Sequence, residues 1–271
     1  MAPETRFPPM TSLSRALAVL DLFTADHMIW TAEEMIRELG YSRPTGYRYI
    51  CELVDIGVLA RFGDGSYSLG ARIVELDFLI RQADPTLSVG LPTIRALAAE
   101  TGFDINLVSL YGSRIVTTYQ EPGTERLPMS FNRGRRLPEL RGAGSKIIIA
   151  QLSNATLKRI YEQNKVDAAD VGFGESWAEF IAACQKLRHA GYAVSRAELD
   201  EGMAAAAVPL FTNGAVSGAL VATMTLQRFG LTRLDGLVDL LKNSAATING
   251  LIAELVSKNP VSRQPAQPKR A

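Results

Sequence analysis

Residues 31–70, TAEEMIRELGYSRPTGYRYICELVDIGVLARFGDGSYSLG, constrain the fold more than any other stretch. Thr31 with Glu34 three residues on makes a capping-box pattern, so a helix begins there. Ala32, Met35, Ile36 and Leu39 fall on one helical stripe, and Gly40 supplies a stop. Ser42 is placed to cap a second helix, and Pro44 is tolerated because first-turn amides lack helical partners. Tyr47, Ile50, Cys51 and Val54 read as its inward face, with Gly57 at its end. Segments 58–61 and 66–69 then form two strands around Gly63-Asp64-Gly65, a hairpin turn. Upstream, Leu13, Ala16, Leu17, Leu20 and Phe23 are expected on the helix that completes the core. Helix, turn, helix and hairpin in this order describe a winged helix-turn-helix, whose second helix can lie in the major groove of DNA.

The start of that second helix carries the chemistry. Arg43 and Arg48 can fork onto guanine or clamp a phosphate. Thr45 can meet a phosphate or a thymine methyl, and Gly46 lets a backbone approach closely. The expected DNA-contacting set is Ser42, Arg43, Pro44, Thr45, Gly46, Tyr47, Arg48 and Tyr49, with Arg61 from the hairpin. Charge does not advertise this role. Residues 1–83 hold eight arginines, no lysine and eleven acidic residues, three negative charges in excess, where a basic footprint is usual. Binding would therefore depend on a local cluster of Arg43, Arg48 and Arg61, doubled in a dimer.

A chain of 271 residues with 47% hydrophobic content suits two soluble domains. No apolar run reaches the length of a membrane span, and the amino-terminal MAPETRFPPM has no signal-peptide core, so no membrane partner is expected. Cys51 and Cys184 fall in predicted helices and read as reduced thiols, which points to the cytoplasm. The winged helix is expected over 10–70 (its helix-turn-helix about 32–51), a connector helix over 71–84, and a second domain over 85–258. The Pro-rich, basic segment 259–271 reads as a disordered tail.

Ile73, Val74, Leu76, Leu79 and Ile80 give the connector an apolar stripe that could pair with its twin in a dimer, and Asp84-Pro85 breaks it. Beyond, helices are expected over 86–100, 156–164 and 175–190, and at the end of 134–149. Strands are expected over 104–110, 114–120, 192–196, 203–211 and 215–226. A long final helix carries Leu234, Leu237, Val238, Leu241, Ile248, Leu251, Ile252 and Leu255. Mixed in this order, the elements describe an α+β domain with helices covering an antiparallel sheet.

The chain resembles the isocitrate lyase regulator (IclR) family of bacterial transcription factors over about Ser12 to Ser257, and four passages carry the resemblance. SLSRALAVLDLF resembles its first helix and RPTGYRYICELVDIGVL its recognition helix. SYSLGARIVEL resembles its wing and connector, and GYAVSRAELDEGMAAAAVPLFTNGAVSGALVATM its ligand-binding signature. The resemblance implies a homodimer or dimer of dimers on double-stranded operator DNA. It also implies a GAF-like carboxyl domain that binds a small catabolic metabolite, often a carboxylate or aromatic acid. By resemblance the effector site takes Asn106 and Ser109 from a strand pair, and Gly142, Ala143, Gly144 and Ser145 from a loop and helix start. Ser195, Ala205, Ala222 and Met224 complete it from the late strands. Ala205, Ala222 and Met224 are apolar where several relatives carry polar or thiol groups, which hints at an aromatic ring in the ligand.

The other chemical candidates are weaker. Arg126, Arg133, Arg135, Arg136 and Arg141 precede a helix start whose amides, with Ser145, could hold a carboxylate; most of these arginines read as a solvated loop. RGAGSK lacks the GxxxxGK[ST] spacing of a phosphate-binding loop. His27 and His189 are isolated, and neither CxxC nor HxxxH occurs, so no catalytic residue, metal or cofactor is expected. Glu198, Asp200 and Glu201 read as solvated turn residues, with Glu198 bordering the effector pocket as the second choice. A ligand-responsive regulator of a catabolic operon sensing a small organic acid is the expected function. The alternative is an enzyme or ligand-storage protein on the same domain, its winged helix serving protein contacts.

Overall fold

The computed structural model describes residues 11–125 and 127–258; the predicted tail at 259–271, residue 10 and Arg126 lie outside them. The chain divides into two compact units between Ala83 and Asp84.

In the first unit, helix α1 (Ser12–Ala18) stops short and continues as a 3₁₀ turn over Val19–Leu22. The tighter turn changes the phase of the predicted stripe. Leu13 and Leu17 are exposed, and Val19 is the residue buried instead. Strand β1 (Trp30–Thr31) leads into helix α2 (Ala32–Glu38), whose capping box is formed as the spacing predicts. Glu34 N–H donates to Thr31 Oγ1 at 3.3 Å and Thr31 N–H donates to the Glu34 carboxylate at 2.9 Å. Helix α3 (Arg43–Asp55) follows a turn through Gly40. Ser42 occupies its N-cap position, but its hydroxyl donates to Thr45 Oγ1 at 2.9 Å and takes no helix amide. Strands β2 (Leu59–Arg61) and β3 (Ser66–Leu69) form the hairpin, and β1 adds to it in the antiparallel order β1-β3-β2. β1 has two residues, too few to show alternation, so the sequence does not announce it. Helix α4 (Ala71–Ala83) buries none of its residues.

The second unit is built on helix α5 (Pro85–Thr101), capped by the Asp84 carboxylate and ended by Gly102 at φ +66°. Strands β4 (Asp104–Tyr111) and β5 (Arg114–Glu121) come next, then helices α6 (Ala143–Ala150), α7 (Asn154–Gln163), α8 (Lys165–Asp170) and α9 (Trp177–Ala190). Strands β6 (Ala193–Arg196), β7 (Met203–Thr212) and β8 (Ala215–Thr225) precede α10 (Leu226–Leu231) and α11 (Leu234–Lys258). The five strands make one antiparallel sheet in the order β5-β4-β8-β7-β6. Helices cover both faces. Ile94 of α5 and Leu241 and Ile248 of α11 pack with Ile105, Leu107, Leu220 and Ala222 on one side. Ile147 and Ile148 of α6 and Phe180 of α9 pack with Val108, Ala207 and Val221 on the other. The short helices α8 and α10 were not expected; six residues carry less than two turns of pattern.

Candidate functional site

The exposed side of α3 presents Ser42, Arg43, Pro44, Tyr47 and Arg48, with Thr45 half-buried among them, and Arg61 is exposed on β2. The Arg48 guanidinium lies 4.0 Å from Glu52 and 5.3 Å from the centre of the Tyr49 ring. Tyr47 was expected inside, yet it points out and donates its hydroxyl to Glu33 Oε1 of α2 at 2.5 Å. That bond holds the Glu33 carboxyl below its ordinary range and raises the Tyr47 phenol. Cys51 is likewise exposed, and Leu53 takes the core place given to it.

Two residues of the expected DNA-contacting set turn inward. Gly46 is buried against α2, where an added Cβ would sit 2.3 Å from Ile36 Cγ1. Its absent side chain lets two helices approach, not a phosphate. Tyr49 is 4% exposed and meets Tyr41 edge-on at 5.8 Å. Tyr41 in turn donates to Arg15 O at 2.9 Å, tying the turn to α1. Both support the recognition helix from behind. The buried face of α3 is Gly46, Tyr49, Ile50 and Leu53, about one residue out of phase with the expected Tyr47, Ile50, Cys51 and Val54.

In the second unit a cavity of about 550 Å³, mouth included, opens between the sheet and the amino end of α6. Of the residues expected by resemblance, Asn106, Ala143, Gly144, Ser195 and Ala205 line it. Gly142 is outside the lining; with φ +85°, it donates its N–H to the lining residue Glu198. Four others lie elsewhere. Ser145 is fully buried, outside the lining, and its Oγ has no hydrogen-bond partner within the described residues. Ser109 follows the alternation of Ile105 and Leu107 to the other sheet face, where its hydroxyl pairs with Thr118 Oγ1 at 2.8 Å. Ala222 and Met224 belong to the α5–α11 core, and Val221 and Thr223 face the cavity in their place. A slip of one residue in a strand moves every side chain to the other face. Helices cover both faces of β8, so apolar residues occur on each and the pattern does not fix the phase. The cavity's apolar wall therefore comes from Val108, Met129, Phe131, Leu137, Leu199, Met203 and Val221, none of them singled out by the sequence.

The polar wall is acidic. Glu198, expected as a solvated turn residue, accepts from Gly142 N–H at 3.0 Å and from Lys146 Nζ at 2.5 Å. These side chains are only 17% and 9% exposed. Lys146 also donates to Val171 O at 3.0 Å, and Ala143 N–H donates to Ser195 Oγ at 3.0 Å. The first two amides of the α6 turn thus already have acceptors. Asp200 lines the cavity too and accepts from Ser130 N–H at 3.1 Å. No lysine or arginine occurs among the lining residues. Arg133 and Arg135 donate to Thr118 O and Ser130 O, and Arg141 pairs with Asp167 at 2.8 Å. Asn106 donates its Nδ2 to Thr223 Oγ1 at 3.0 Å while its Oδ1 has no partner among the described residues.

Among the described residues no three His, Cys, Asp or Glu side chains gather as metal ligands, and His27 stacks on Trp30 at 3.7 Å. No described helix is long and apolar enough to cross a membrane.

Residues 12–61 match the IclR helix-turn-helix domain, and residues 84–250 match the domain described as bacterial transcriptional regulator IclR C-terminal. The HTH-type transcriptional regulator KipR of Bacillus subtilis is 23% identical over 87% of this chain and 94% of its own length. The Pca regulon regulatory protein of Pseudomonas putida is 23% identical over 83% of this chain and 78% of its own. An IclR transcriptional regulator from Alicyclobacillus acidocaldarius superposes with a TM-score of 0.75 at 23% identity, covering 89% of this chain and 98% of that one. An IclR homologue from Microbacterium hydrocarbonoxydans, solved with 4-hydroxybenzoate, gives 0.72 at 22% identity over 89% and 99%. At such identities the structural likeness concerns the fold. The two domain matches, which together account for most of the chain, carry the conclusion that it belongs to the IclR family of bacterial transcriptional regulators, DNA-binding proteins rather than enzymes.

Proposed function

We propose that this chain is a ligand-responsive regulator of a catabolic operon, acting from the cytoplasm on double-stranded operator DNA. The winged helix at 10–70 reads DNA through α3, the connector at 71–84 follows it, and the effector domain at 85–258 holds a small organic acid, an aromatic one being favoured. The observation that carries this reading is the cavity beside α6, apolar on one wall and polar on the other, a lining of the kind that holds small molecules. Phe131, Leu137 and Val221 are the lining side chains on which a ring would pack. No cation lines the site and the Gly142 and Ala143 amides are already bonded, so a carboxylate there would rely on the partial positive charge at the start of α6. The 4-hydroxybenzoate held by the Microbacterium homologue favours an aromatic acid.

On the DNA side, Arg43, Thr45 and Arg48, with Arg61 from the hairpin, are the contacts we assign. A homodimer or dimer of dimers would double them and offset the acidic balance of the first unit. Leu13 and Leu17 on α1 and Val74, Phe78, Leu79 and Ile80 on α4 are exposed in the single chain, and apolar surface of that kind suits a second copy. The effector would then act by favouring one arrangement of paired recognition helices over another. Fluorescence anisotropy on DNA from upstream of the chain's own and neighbouring genes, with competitor DNA at near-physiological salt and a panel of aromatic and short-chain acids, tests the reading. Competitor-resistant binding altered by one acid supports it. No preference over competitor DNA on any fragment, with or without the acids, removes it.

A further inference from the structure

Resting on the effector reading above, we infer that the ligand carries a hydrogen-bond donor, a ring hydroxyl being the fitting group, which meets Asn106 Oδ1. Asn106 is 6% exposed and sits on the cavity side of β4, in step with Val108. Its Nδ2 is engaged by Thr223 Oγ1 at 3.0 Å, which fixes the amide and leaves the carbonyl oxygen without a partner among the described residues. A buried acceptor left bare is costly, so a group that donates to it gains more than one that fills the space alone. The cavity lining also holds the Asp200 carboxylate, a second acceptor, which takes the Ser130 amide. A ligand ether or carbonyl placed there would set lone pairs against lone pairs, whereas a hydroxyl turns its proton to them. Much of the remaining lining is apolar, so Asn106 Oδ1 is the feature that separates hydroxylated from unsubstituted rings.

Calorimetric titration of the full chain with benzoate, 3- and 4-hydroxybenzoate and their methyl ethers tests the assignment. At least one hydroxybenzoate should bind about tenfold or more tighter than benzoate and than its own methyl ether, which keeps the oxygen but loses the proton. In Asn106→Leu that preference should disappear while operator binding persists. Methyl ethers that bind as tightly as the hydroxy acids, or a preference that survives in Asn106→Leu, overturn the assignment. If that variant does not fold, the comparison of hydroxyl with ether in the unaltered protein decides. Binding of benzoates without regard to the hydroxyl overturns the donor assignment and leaves the aromatic-effector reading standing; no binding of any of them overturns both.

Discussion

Removing one member of the Lys146–Glu198 pair should unsettle the second unit far more than removing both. The ammonium and carboxylate are 2.5 Å apart with side chains 9% and 17% exposed. Glu198→Leu leaves a buried ammonium with only the Val171 carbonyl, and breaking such a pair from one side costs about 3–5 kcal/mol. Lys146→Met leaves Glu198 bonded to the Gly142 amide beside the cavity, so the loss is nearer the ~1.5–3 kcal/mol of one charged hydrogen bond. The double variant leaves no uncompensated charge, only the Gly142 amide short of an acceptor and the Val171 carbonyl short of its lysine donor, about 2 kcal/mol together. The sum of the single losses should therefore exceed the double loss by at least ~2 kcal/mol. Urea unfolding followed by tryptophan emission in a Trp30→Phe background isolates the second unit, because the other tryptophan, Trp177, packs on Phe180 of α9. Glu198→Leu should lower the midpoint by roughly 2 M if the slope is about 2 kcal/mol per M. Strictly additive losses would refute the reasoning and make the pair a solvated contact. The consequence for function is local: this bond pins the turn carrying Glu198, Leu199 and Asp200 to the start of α6, and so holds one wall of the cavity in place.

Three further outcomes follow from the first unit and the thiols. Arg48→Ala should weaken operator binding by ~1–3 kcal/mol, about 5- to 150-fold, with little effect on stability, since its Glu52 contact is long and exposed; unchanged affinity removes Arg48 from the interface. Gly46→Val should unfold the first unit, read by Trp30 emission, because its Cβ would press on Ile36; a folded unit that merely loses DNA affinity would restore Gly46 as a DNA contact. Burial pushes the Cys184 thiol up to about 12, and its reactive thiolate forms only as pH approaches that value. One thiol per chain, the exposed Cys51, should therefore react with a disulfide reagent at pH 8, and the second only after denaturation; two fast thiols in the native protein contradict the packing of α9.

What the sequence made legible was local chemistry. The Thr31–Glu34 capping box, the Gly40 stop and the Gly63-Asp64-Gly65 turn each depend on a few neighbouring residues, and each is in place. Which face of an element looks inward was harder. Tyr47 and Tyr49 are two residues apart on α3, and only the closeness of α2 to Gly46 decides that Tyr49 is the buried one. On β8 the choice between Ala222 with Met224 and Val221 with Thr223 is a choice between two buried faces, where hydrophobicity carries no information. Glu198 looked like a turn residue because its partner Lys146 lies 52 positions away, a distance at which no spacing rule operates.

Reciprocal coupling between effector and operator is the most direct test of the account. The acid that alters operator affinity in anisotropy should be titrated calorimetrically against the protein alone and against the protein saturated with that operator. Linkage requires that the operator change the acid's affinity by the same factor as the acid changes the operator's. Equal factors, expected in the range of about 5–150, establish two distinct sites joined through one conformational equilibrium. An acid that binds with the same affinity whether or not operator is present contradicts ligand-controlled DNA binding by this protein.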